Sequence, residues 1–242
     1  MIDKPQIFIM YGSGMFGTFI AGLFSHHPNA NAVLSEEIEG DEYNLNAHHS
    51  YKKQIDSFHN EYDYEKISNM NNNELSKFFN QFNKKNIGIH RMATYDFATL
   101  PYEKYFKNYV KILIICKEKE RLKYAQRHVE VGGLNPDETP EFWYKQVKKP
   151  INKLPEYFTK GMHIKQRYKF IEEETNRYLK RDIFDSKHDI IFDPDNIQDL
   201  NKLQKLVDHC CKILNIKTFN LPKQKIEKFI EKNKIYFDKT SK

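Results

Sequence analysis

Hydrophobic residues along the chain fall into two kinds of run, short continuous blocks and longer stretches in which they recur every third or fourth position. The continuous blocks are QIFIMY at 6–11, NIGIH at 86–90, VKILIIC at 110–116 and HDIIF at 188–192. Short blocks rich in Ile, Val and Phe are what strands covered on both faces of a parallel sheet require. Between them lie helical patterns. FIAGLF follows the first block, residues 74–82 carry apolar side chains at 75, 78, 79 and 82, and 200–214 carries them at 200, 203, 206, 207, 210, 213 and 214. A long charged helix is expected over 164–179 and a basic one from Lys223. Strands alternating with helices define an α/β class. We expect a three-layer α/β/α arrangement around a central parallel sheet, with β-strand 6–11 in its interior beside 87–90 and 110–116.

The regular pattern breaks in two places. Residues 41–73 are polar and rich in Asn, His and Tyr, and 132–185 open on the loop GGLNPDET and are interrupted by Pro150 and Pro155. Both read as insertions, polar and helical respectively, in one domain spanning 1–242; a short strand at Val33–Leu34 precedes the first. With 242 residues and 39% hydrophobic content the chain can bury a substantial core.

Charge and cysteine content narrow the setting. A net charge of +6 is spread along the chain. That suits a solvated surface or attraction of an anionic nucleotide, and no compact basic stretch interleaved with aromatics points to nucleic acid. Cys116, Cys210 and Cys211 make no disulfide framework, which fits a reducing compartment. No basic segment followed by a long apolar stretch opens the chain, and no run of about eighteen apolar residues occurs. The expectation is a cytoplasmic protein without a membrane span.

The chemistry concentrates after the first strand. Gly12, Gly14 and Gly17 interrupt the apolar run before the helix resumes. A glycine turn running into a helix N-terminus lets backbone N–H groups and the helix dipole converge on an anion, so phosphate or sulfate is the natural guest. The same glycines also suit an ordinary tight turn. In loops that bind ATP or GTP with Mg²⁺, Lys and then Ser or Thr follow the last glycine. Here Thr18 and Phe19 follow, which favours a phosphate-bearing ligand that needs no metal. Two further sites lie at strand ends. His90 closes NIGIH, where parallel sheets bind ligands, although a structural histidine fits there too. Lys117, Arg121 and Arg127 follow the third strand, available for anions or simply solvated. His48, His49 and His59 have no Cys or carboxylate at ligand spacing, so no metal site is expected.

Three separated pieces, in order, resemble the sulfotransferase family that uses 3'-phosphoadenosine 5'-phosphosulfate. The family's first loop holds the phosphosulfate without a metal, and Phe16, Gly17, Thr18 and Phe19 stand at its places. Its catalytic histidine ends a strand and is followed by Leu-Pro, as His90 is by Leu100 and Pro101. Its third piece is an apolar strand ending in Arg with a Ser further on; Lys117 and Ala125 occupy those places. The resemblance implies a P-loop NTPase-like sulfotransferase architecture and sulfuryl transfer to the hydroxyl of a small molecule or glycan. It further implies His90 as general base, phosphosulfate held by the backbone of Gly14, Met15, Phe16, Gly17 and Thr18, and the 3'-phosphate neutralised by Lys117 with Arg121 or Arg127. A phosphotransferase on a degenerate P-loop and a catalytically inactive nucleotide-binding module are the alternatives.

Overall fold

The computed structural model describes residues 1–12, 15–30, 67–80, 87–92, 98–117, 120, 124 and 189–238. Gly14, Arg121, Arg127, Ala125, the Val33–Leu34 strand, the 164–179 helix, the insertion 132–185 and all but the end of the insertion 41–73 lie outside them.

Four strands form one parallel sheet. They are β1 (Gln6–Tyr11), β2 (Gly88–Met92), β3 (Tyr109–Ile114) and β4 (Asp189–Phe192), in the order β2-β1-β3-β4. All six residues of β1 are buried, and it pairs with β2 through Gln6 to Met10 and with β3 along its whole length. The interior position expected from its continuous apolar run is the one it occupies.

Alternation along the strands makes two apolar layers. On one face, Ile7, Ile9 and Tyr11 join Ile89, Val110, Ile112 and Ile114 under helices α1 (Gly17–Ser25), α3 (Leu200–Ile213) and α4 (Lys223–Asp238). On the other, Phe8, Met10, Met92 and Leu113 meet Leu75 and Phe79 of α2 (Asn72–Asn80) and aromatic residues of 102–106. Helices thus cover both faces.

Helix ends follow local chemistry. Every residue of α1 except Thr18 is buried, as a helix apolar on all sides must be. It stops where the His26 N–H turns back to the Leu23 carbonyl and the His27 N–H to that of Phe24, just before Pro28. α2 begins two residues ahead of the expected 74 because Asn71 and Glu74 build a reciprocal cap. The Asn71 side chain accepts from the N–H groups of Asn73 and Glu74, and Glu74 accepts from the Asn71 N–H at 2.9 Å. Asp199 caps α3 by accepting from Asn201 and Lys202. Asn215 ends it at φ 50°, the left-handed conformation asparagine tolerates. The three cysteines are buried thiols, none of them in a disulfide. Burial pushes the Cys210 thiol up and Cys211 to about 11, so both stay protonated inside α3. No helix among the described residues is long and apolar enough to cross a membrane.

His26 links this packing to pH. Burial first, and then the nearby Lys225 ammonium, lower its imidazole from 6.5 to about 4. An unfolded chain takes up this proton near 6.5, whereas the folded chain resists until about 4. Stability is therefore complete above 6.5 and declines as pH falls toward 4. Allowing for solvent screening of a partly exposed ring, the loss is on the order of 1–2 kcal/mol. In urea unfolding, His26→Gln should match the wild type above pH 6.5 and become relatively more stable toward pH 4. Parallel curves across that range would assign the ring no such role.

Candidate anion-binding site

The order of strands places a crevice before any ligand is considered. From β1 the chain moves to β2 on one side, and from β3 it moves to β4 on the other. Adjacent parallel strands whose connections diverge leave a cleft at their C-terminal ends, where open α/β sheets bind ligands. The glycine turn leaves β1 at that cleft, and the exposed Lys117 lies just beyond the end of β3.

Within the turn, the Met15 N–H donates to the Gly12 carbonyl at 3.2 Å, closing a tight reversal. Phe16 then sits at φ 60° and ψ 20°, and its carbonyl accepts the first helical bond, from Ile20. A phenylalanine in this left-handed region carries strain on the order of 1–3 kcal/mol, which surrounding structure must over-determine. Here the rings of Tyr124 and Phe229 hold it edge-on, at 6.2 and 6.0 Å between centroids. Gly17 has its own reason to be glycine. A methyl group on it would lie 2.0 Å from the Tyr11 ring, which packs across the helix start. The N-cap residue Phe16 supplies no side-chain cap, and the first N–H groups of α1 lie at the cleft end of the helix.

Of the expected backbone cradle Gly14 to Thr18, the structure describes Met15 to Thr18. The Met15 amide is engaged within the turn, and the side chains of Met15 and Phe16 are buried in the core. Gly17 and Thr18 occupy the helix's first two positions. Phe19 stacks flat on Phe229 at 3.9 Å and is buried, so position 19 offers packing where a metal-binding loop offers a hydroxyl.

β2 corrects one expectation and adds a residue. His90 does not end its strand; β2 runs on through Arg91 and Met92, and His90 lies mid-strand opposite Phe8. It is 1% exposed and stacks on Phe8 at 4.7 Å. The Gln6 amide nitrogen donates to the Lys4 carbonyl at 3.1 Å, which turns the amide oxygen toward His90. The Nε2–H of His90 donates to that oxygen at 2.7 Å. Gly88 is required beneath this bond, because a methyl there would lie 1.9 Å from Gln6 Oε1 and 2.6 Å from His90 Nε2.

Arg91, next in sequence, points to the opposite face. It is 2% exposed, and its Nη1 donates to the Thr18 hydroxyl at 3.0 Å. The structure thus joins Thr18 to Arg91, and His90 to Gln6. In the sequence Arg91 follows the block NIGIH and carries no assigned role. The available signal was a charged residue directly between His90 and Met92, since an arginine flanked by strand residues must find polar partners or solvent.

On the C-terminal side, the buried Tyr124 hydroxyl donates to Asp195 at 2.5 Å. Burial, and then this bond, raise the phenol's pKa, so it stays a donor. Asp193, at the end of β4, accepts from the Asp195 N–H and fixes the 3-10 turn Pro194–Gln198.

Comparison of the chain with protein-family models, curated protein sequences and solved structures finds no match in any of the three.

The Gln6–His90 arrangement makes a direct prediction. Gly88→Ala should lower stability by about 1–3 kcal/mol through forced displacement of both side chains. Gln6→Leu, which leaves the buried His90 donor without its acceptor, should cost a similar amount. Urea unfolding measures both, and wild-type stability in Gly88→Ala would show that the pair is not held over the glycine.

Proposed function

We propose that this chain is a sulfotransferase that moves the sulfuryl group of 3'-phosphoadenosine 5'-phosphosulfate to a hydroxyl acceptor, a small molecule or glycan. The observation that carries the reading is the meeting of three anion-seeking features at the start of α1. The glycine turn runs into the start of α1, and the buried Arg91 guanidinium meets that start at Thr18. A guanidinium is permanently charged and matches phosphate oxygens geometrically, and at a helix N-terminus it adds to positive potential already there. It stands in for the lysine that the turn lacks. The buried Phe19 ring favours a donor handled without a metal ligand at that position.

In the proposed reaction the acceptor oxygen bonds to sulfur as the bond from sulfur to the 5'-phosphate oxygen breaks, in line. Negative charge grows on the departing phosphate, and the N–H groups of Gly17 and Thr18, the Thr18 hydroxyl and Arg91 would stabilise it. Donors fixed before the reaction are the largest source of rate in such transfers. Lys117, across the cleft, would meet the 3'-phosphate. The acceptor's proton passes to water, and His90, committed to Gln6, serves by holding β2.

Thermal-shift measurements test the reading. Adenosine 3',5'-bisphosphate at a hundredfold excess over its dissociation constant should stabilise the protein by about 2.7 kcal/mol in EDTA. Arg91→Lys should weaken that affinity by roughly tenfold or more, with its unliganded melting temperature reporting any effect on folding. A response to MgATP alone would move the assignment to phosphoryl transfer. No response to either would remove the nucleotide site.

A further inference from the structure

We propose that the hydrogen bond from Tyr124 to Asp195 is a latch that sets the glycine turn against the end of β3, with Tyr124 acting as a positioning residue. The inference deepens the reading above and rests on it for the identity of the ligand, but not for the latch. Phe16 is the hinge of the turn, because its left-handed backbone decides where Gly17 and Thr18 point. Edge contacts from Tyr124 and Phe229 hold it. Phe229 is anchored by stacking on Phe19 within 4° of parallel. Tyr124 comes from the segment that follows Lys117, and its anchor is the hydroxyl bond to Asp195. Asp195 is itself fixed, its N–H donating to Asp193 at 3.0 Å.

The chain of contacts therefore runs from the turn after β1, through the segment after β3, to the turn after β4. These are the C-terminal ends of three neighbouring strands. Without the hydroxyl bond the Tyr124 ring keeps its bulk but loses the direction that walls in Phe16. The two halves of the cleft, the phosphate turn and the Lys117 side, then lose their fixed spacing. A ligand carrying phosphates at both ends depends on that spacing being set beforehand.

The test uses Tyr124→Phe, which removes one oxygen, with Asp195→Asn as the conservative partner change that keeps an acceptor and Asp195→Ala as the one that does not. Amide hydrogen exchange is measured over 11–20 and, as a reference, over 203–211 in α3. Tyr124→Phe and Asp195→Ala should each speed exchange over 11–20 by roughly fivefold, leave 203–211 unchanged, and weaken adenosine 3',5'-bisphosphate binding by about five- to tenfold. Asp195→Asn should retain most of the protection and affinity. Unchanged exchange over 11–20 in Tyr124→Phe, or a loss in Asp195→Asn as large as in Asp195→Ala, overturns the latch. If the wild type binds no bisphosphate, the functional reading falls while the exchange comparison still decides the latch.

Discussion

A strand buried on both faces and paired on both edges has nowhere to move. β1 is such a strand, and its immobility is the constraint on which the rest depends. Its alternate side chains seed the two apolar layers, and its partners take their alignment from it. The glycine turn inherits a fixed starting point from Tyr11, whose ring also lies across Gly17. Strand rigidity thus passes into the loop through one aromatic contact, which explains how a short turn can hold a strained residue.

The alternation that builds the layers also sorts the polar chemistry of β2. His90 and Arg91 are sequence neighbours, so they face opposite sides of the sheet. One meets Phe8 and Gln6 among aromatics; the other reaches the first turn of α1. Lys111 shares the row of Phe8 and His90, and its ammonium donates to the Ala98 carbonyl near the Tyr102 ring. One face therefore keeps a hydrogen-bonded polar row inside an aromatic layer. The other directs its buried cation toward the cleft.

Much of this was legible in the sequence. β1, β3, β4 and α3 follow from continuous or periodic apolar runs, and the structure shifts their boundaries by only a residue or two. The glycine turn was visible because glycine has few other uses between a strand and a helix. β2 was harder to place. A histidine and an arginine look like the end of a strand, and only the tertiary partners Gln6 and Thr18 make them tolerable inside it. The two-residue extension moves His90 from the rim to the middle of its strand. Tyr124 gave no local signal either, since its partners Phe16 and Asp195 lie far along the chain on both sides.

The bond between Gln6 and His90 joins residues 84 positions apart. Parallel strands separated by so much chain pair late and slowly during folding, and apolar strands of similar composition align almost equally well in several offsets. A one-residue offset of β2 would push the imidazole toward α1 and the arginine into the aromatic layer, leaving both without partners. The polar pair thus makes wrong alignments costly while adding little to the correct one. It acts as a checksum on strand assembly, recognising the proper neighbour after the apolar residues have brought the strands together.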